Sequence, residues 1–202
     1  MSDVDRVLSY WLEPKPVTED ELAQRGKIWF MGGKDVDREI DEKFRALVEA
    51  AERSELDSWA ATGRGRLALV ILLDQFTRNV HRGSPQAFAS DAKAVALSAS
   101  GYDAKLFDDF DAIDHMFLSL PFSHSENLEH QKRAVRHSVK YAIGARPEWK
   151  KMLRQGVDFA RKHLDVIARF GRFPHRNAVL GRESTPEEKE YLEYLRDAAQ
   201  WL

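Results

Sequence analysis

The 202-residue sequence predicts an all-α fold, a single-domain array of antiparallel helical hairpins with about eight or nine helices, and three observations carry that prediction. Apolar residues recur at three- and four-residue steps along nearly the whole chain, capping residues stand where the periodic stretches begin, and strict apolar/polar alternation is scarce. Connections are short, and helices joined by short loops pack antiparallel.

In order along the chain, Asp3 is placed to cap a first helix carrying Val4, Val7, Leu8 and Trp11, which Pro14 and Pro16 stop. Thr18 and Glu21 have the spacing of a capping box, opening a second helix that ends near Gly32-Gly33. From Asp35 a third helix presents Val36, Ile40, Phe44, Leu47, Val48 and Ala51 on one face. After a turn through Leu56 and Trp59, the run Leu67 to Leu73 is apolar on every side, as a helix surrounded by neighbours would be. Ser84-Pro85 reads as the start of a small-residue helix reaching Gly101. A helix over roughly 109–119 is expected to end at Pro121, with Ser123 or Ser125 starting the next one, which runs to Gly144. Pro147 opens a long helix to about Phe170, and Thr185-Pro-Glu-Glu188 is a second capping box launching a last helix on Tyr191, Leu192, Leu195 and Ala199. The tryptophans, from Trp11 to Trp201, fall at helix ends or on apolar faces and read as packing residues.

Composition narrows the functional classes. The chain is 43% hydrophobic and 32% charged, and Lys+Arg 31 against Asp+Glu 33 leaves a net charge of −2. That balance speaks against a nucleic-acid or membrane-surface binder. No apolar run approaches the roughly 20 residues a membrane span requires, and the start lacks the basic and apolar parts of a signal peptide. The absence of cysteine excludes disulfides, thiol nucleophiles and Cys-based zinc sites, and fits a soluble protein of the cytoplasm. Elbow, phosphate-loop and His-Glu-x-x-His motifs are missing, and no cofactor is indicated.

Polar groups interrupt the apolar pattern in three places. In the segment Leu72 to Asn79, Asp74 and Arg78 stand four apart at the end of the most hydrophobic helix, within ion-pair reach. After Pro121, His124 and Glu126 are expected on a loop at a helix N-terminus, where two residues alone cannot complete a metal's coordination without distant partners such as His163 or His175. The third place, Arg169 to Arg182, holds four arginines and a histidine in fourteen residues. Arg172, His175, Arg176 and Arg182 could converge into an anion pocket, because arginine forks read carboxylate and phosphate in two-point geometry. The competing reading pairs these cations with Asp74, Glu126, Asp165 and Glu183 as internal scaffold.

Five segments in order, Leu72-Leu-Asp-Gln-Phe-Thr-Arg-Asn79, Ala87-Phe-Ala-Ser-Asp91, Leu120-Pro-Phe-Ser-His-Ser-Glu126, Arg169-Phe-Gly-Arg-Phe-Pro-His-Arg-Asn177 and Leu180-Gly-Arg-Glu-Ser-Thr-Pro-Glu187, resemble the bacterial domain-of-unknown-function family 924. Leu8-Ser-Tyr-Trp11 and Trp29-Phe30 add to the likeness, while Thr77 and Leu12 stand where the family usually has proline and an aromatic. The resemblance implies an all-α fold similar to tetratricopeptide-type hairpin arrays, and it implies no activity. The residues themselves suggest a binding module whose candidate site comprises Asp74, Arg78, His124, Glu126, Arg172, His175, Arg176 and Arg182, and whose partner is an anionic small molecule or an acidic peptide. Two rivals stand beside it: a small-molecule hydrolase using His/Glu acid–base or metal chemistry, and a docking scaffold whose polar network is purely structural.

Overall fold

Local chemistry accounts for most of the helix starts in the computed structural model, which describes residues 1–199. Nine helices form among the described residues, and no strand. Helix α1 (Asp3–Trp11) is capped by the Ser2 hydroxyl, which accepts from the Asp5 amide, so the cap lies one residue before the expected Asp3. The Thr18/Glu21 box is fully formed at the start of α2 (Glu19–Met31), and α3 (Lys34–Glu52) buries Ile40, Phe44, Val48 and Ala51. Trp201 lies outside the described residues.

The apolar run becomes α4, in which an α-helical stretch Gly63–Val70 continues through a π-helical turn Ile71–Phe76 into Thr77–Val80. Every residue of the π turn is buried, and the Thr77 hydroxyl donates to the Leu73 carbonyl. This helix sits at the centre, packed against α1, α3, α5 (Asp91–Asp103) and α6 (Ala112–His124). Around it one contiguous core joins Trp11, Phe76 and Phe117 edge to face. The remaining helices are α7 (Leu128–Gly144), α8 (Lys150–Phe170) and α9 (Pro186–Ala199), with α6, α7 and α8 packed successively along one another. No helix among the described residues is long and apolar enough to cross a membrane.

Three boundaries differ from expectation. Pro121 does not end its helix, because α6 continues through it to His124. The Gln131 side-chain amide donates to the Ser123 and Ser125 carbonyls at 2.7 and 2.6 Å, satisfying acceptors that the helix end leaves open. Neither Ser123 nor Ser125 starts the next helix; the cap is Asn127, whose side chain accepts from the Glu129 and His130 amides. Finally, Ser84-Pro85 opens only a 3₁₀ turn, and Gly101 lies inside α5, where an added Cβ would stand 2.2 Å from the Phe107 ring.

Candidate functional site

The carboxyl end of α6 and the π turn of α4 bring His124 against Asp74. The His124 Nδ1 lies 2.7 Å from the Asp74 Oδ1, and the Asp74 side chain is entirely shielded from solvent. Burial alone would raise the Asp74 pKa, but the His124 and Arg78 charges and the hydrogen bonds from His124 and Gln75 outweigh it, holding it down at about 2. An ionised carboxylate only accepts, so Nδ1 carries the proton that joins the pair and Nε2 is the remaining polar atom of the ring.

Arg78 backs this pair. Its guanidinium donates to Asp91 at 2.8 Å, to the Ala87 carbonyl at 3.2 Å, and more weakly to Asp74 at 3.4 Å. Asp91 in turn accepts from Arg176 at 3.1 Å, and both arginines lie over the Phe88 ring. Burial raises the Asp91 pKa and lowers that of Arg176, which marks the ladder as a desolvated one. The Nε atoms of Arg78 and Arg176 are buried with no partner among the described residues.

The other arginines of the loop after α8 are engaged elsewhere. Arg182 grips Glu126 through two bonds of 2.7 and 2.9 Å, and Glu126 also accepts from the Phe173 amide. Burial opposes ionisation of Glu126, yet these donors leave its pKa lowered. Arg172 forks onto Glu188 at 2.6 and 2.8 Å, where Glu188 is also the reciprocal acceptor of the Thr185 capping box. The Arg172 contact comes first among the causes that bring the Glu188 pKa to about 2. His175 is exposed beside Phe173. Asp74, Arg78, His124 and, through Asp91, Arg176 therefore form one cluster, whereas Glu126–Arg182 and Arg172–Glu188 are separate clasps that hold the 171–185 loop.

His124 and Arg78 open onto a groove of about 630 Å³ between α2, α4, α6, α7 and α8. Apolar residues Ile28, Met31, Met116, Leu120, Met152 and Phe159 line it together with the polar Gln75, Arg78, Asn79, Arg82 and His124. No aspartate or glutamate lines it. The acids stand behind the cations: Asp37 is largely buried and holds Arg82 through two bonds of 2.6 and 2.7 Å, while the Arg82 side chain remains 59% exposed. Asn79 donates to the same Asp37. Gln75, Asn79, Arg82 and Asp91 are absent from the residues the sequence singled out. The Ala87–Asp91 segment carried a signal for Asp91; the Asp37–Arg82 pairing spans too much chain to be read locally. Among the described residues no group of three or more His, Asp or Glu side chains is arranged to hold a metal ion.

This chain is similar to other proteins over nearly its whole length. The family model described as "Bacterial protein of unknown function (DUF924)" matches residues 7–195. The solved structure of a protein of unknown function, ATU0120 from Agrobacterium tumefaciens, is 33% identical, covers 95% of this chain and 97% of that one, and superposes with a TM-score of 0.77. No curated protein matches.

Proposed function

The chain belongs to DUF924, a bacterial family of unknown function, and we propose that its groove binds a small amphipathic molecule, an apolar body ending in a carboxylate or phosphate. The observation that carries this reading is the lining: Arg78, Arg82 and His124 line the groove with no acid among the lining residues, together with methionine and aromatic side chains. Cationic donors recognise an anionic head, and the flexible Met31, Met116 and Met152 side chains can adapt to an apolar tail. A tetratricopeptide-like superhelix and a cytoplasmic location belong to the same proposal, supported by the stacked α6, α7 and α8 and by the lack of cysteine.

Calorimetric titration with decanoate, decyl phosphate and decanol tests the reading. The two anions are expected to bind saturably and the alcohol at least about tenfold more weakly, a difference of about 1.4 kcal/mol. Gly156 lines the groove and a Cβ added there meets nothing within 4 Å, so Gly156→Leu should narrow the groove and weaken binding without disturbing the fold. Equal affinity for decanol, or unchanged decanoate binding in Gly156→Leu and Arg82→Ala, would refute it.

The Asp74–His124 pair favours one further reading, in which the imidazole acts as an acid–base group on the head of the bound molecule. A buried carboxylate that fixes the ring's tautomer is what a general base requires. Hydrolysis of p-nitrophenyl decanoate above background, lost in His124→Ala and retained in Arg172→Ala, is the expected result; equal rates in all three proteins would discard it.

A further inference from the structure

We propose that a second cavity, at the amino end of α6, is a binding site for a planar aromatic acid. The cavity measures about 800 Å³ and is bounded by the α5–α6 connection, α7 and the turn before α8. It shares no lining residue with the groove, which uses α6 from Met116 onward.

Its walls are ring faces. Tyr102, His115 and Tyr141 form a parallel column, with His115 at 3.7 Å and 9° from Tyr141 and at 5.7 Å and 16° from Tyr102. Phe107 and Phe110 line the same space. A planar guest can pack edge to face or offset against these rings, arrangements that gain beyond the area they bury. The Tyr102 hydroxyl holds the His115 Nδ1 at 3.1 Å, leaving Nε2 as the ring's remaining polar atom. Burial and the nearby Lys140 charge bring the His115 pKa to about 4, so the ring is neutral near pH 7 and, with its faces taken by the two tyrosines, offers the cavity one hydrogen-bonding atom.

The charges select the acid. Lys15 is committed to Asp111 and Asp114, and Arg146 to Glu148. Lys105 and Lys140 line the cavity with no carboxylate partner among the described residues, and the Lys140 ammonium lies 5.1 Å from the Tyr141 ring centre, beside the column. Lys105 is held in the left-handed region, φ 56°, a conformation non-glycine residues adopt infrequently. With Asp108, Asp111, Asp114 and Glu148 set against Lys15, Lys105, Lys140 and Arg146 the charges balance, so the preference for an anion rests on Lys105 and Lys140 being the lining cations without a carboxylate partner among the described residues.

The test is titration of the full chain with 2-naphthoate, 2-naphthylmethylamine and octanoate, followed by calorimetry and intrinsic fluorescence. The expected result is saturable 2-naphthoate binding, about tenfold or more weaker in a Lys105→Ala/Lys140→Ala double variant whose thermal melt is unchanged. Gly156→Leu, which narrows the groove, should leave 2-naphthoate binding intact, and this separates the two sites. Absence of saturable 2-naphthoate binding, equal or tighter binding of the amine, or an unaffected double variant would each overturn the assignment. Octanoate binding that survives Gly156→Leu as strongly as 2-naphthoate would overturn the preference for a planar ring.

Discussion

At the scale of single residues, the molecule turns on a carboxylate that no solvent reaches. Asp74 stays ionised because His124, Arg78 and Gln75 all address it, and removing it would leave these donors without their buried acceptor. Asp74→Ala is therefore expected to lower the unfolding free energy by about 3 kcal/mol or more, read as a shift in the urea midpoint. Arg172→Ala, which breaks a partly exposed fork, should cost less; a smaller loss for Asp74 than for Arg172 would contradict the ranking. The Asp74–Arg78 spacing was legible, since residues four apart share a helix face. Its energetic weight was not, because the shorter bond from Arg78 goes to Asp91. The arginine-dense loop left convergence and pairing both open, and pairing is what forms: Gly171 and Gly181, both with positive φ, turn the backbone so that Arg172, Arg176 and Arg182 each meet a different acid, of which Glu126 alone is among the four the sequence offered.

At the scale of elements, the helices were readable because amphipathic spacing and capping are local properties. Both capping boxes formed where Thr18 and Thr185 stand. What escaped was set by tertiary contacts. Pro121 should end a helix by removing a donor and crowding the preceding turn, yet α6 runs on to His124, where Gln131 of α7 satisfies carbonyls at the helix end. The π turn has no pattern of its own in an all-apolar run. Two glycines give opposite predictions on the same grounds. An added Cβ at Gly65, in the first turn of α4, would lie 2.2 Å from the Trp59 carbonyl oxygen, a backbone atom that cannot swing aside. Gly65→Ala should destabilise by about 2 kcal/mol or more. Gly156 in α8 meets nothing within 4 Å; Gly156→Ala should stabilise by up to about 1 kcal/mol, as glycine is a poor interior helix residue. Thermal melts of the two variants moving in the same direction would sink this account.

At the scale of the whole molecule, three helices share a polar seam that separates the two cavities. Tyr102 of α5 faces His115 and Ser119 of α6, and Ser119 lies 3.3 Å from the His137 Nδ1 of α7. Tyr102 lines the second cavity and Ser119 the groove, so one hydrogen bond of 3.4 Å joins a residue of each. Its cost appears in acid. Burial lowers His115 and His137 from the ordinary 6.5 to about 4, which means the unfolded chain takes up their two protons before the folded one does. Stability is therefore full above pH 6.5 and falls as the pH drops toward 4, with a limiting slope of about 1.4 kcal/mol per pH unit for each proton. Asp74 and Glu188 lose their stabilisation only lower, as the pH falls from the ordinary carboxylate range toward about 2. Asp91 and Asp114, raised by burial, act in the opposite sense as they protonate above the ordinary carboxylate value. Urea midpoints measured from pH 7.5 down to 5 should decline steadily, and His137→Gln, which keeps a hydrogen-bonding side chain but cannot titrate, should reduce the slope by about one proton. A midpoint flat across that interval, or an undiminished slope in His137→Gln, would mean that the seam is already hydrated or charged in the folded state.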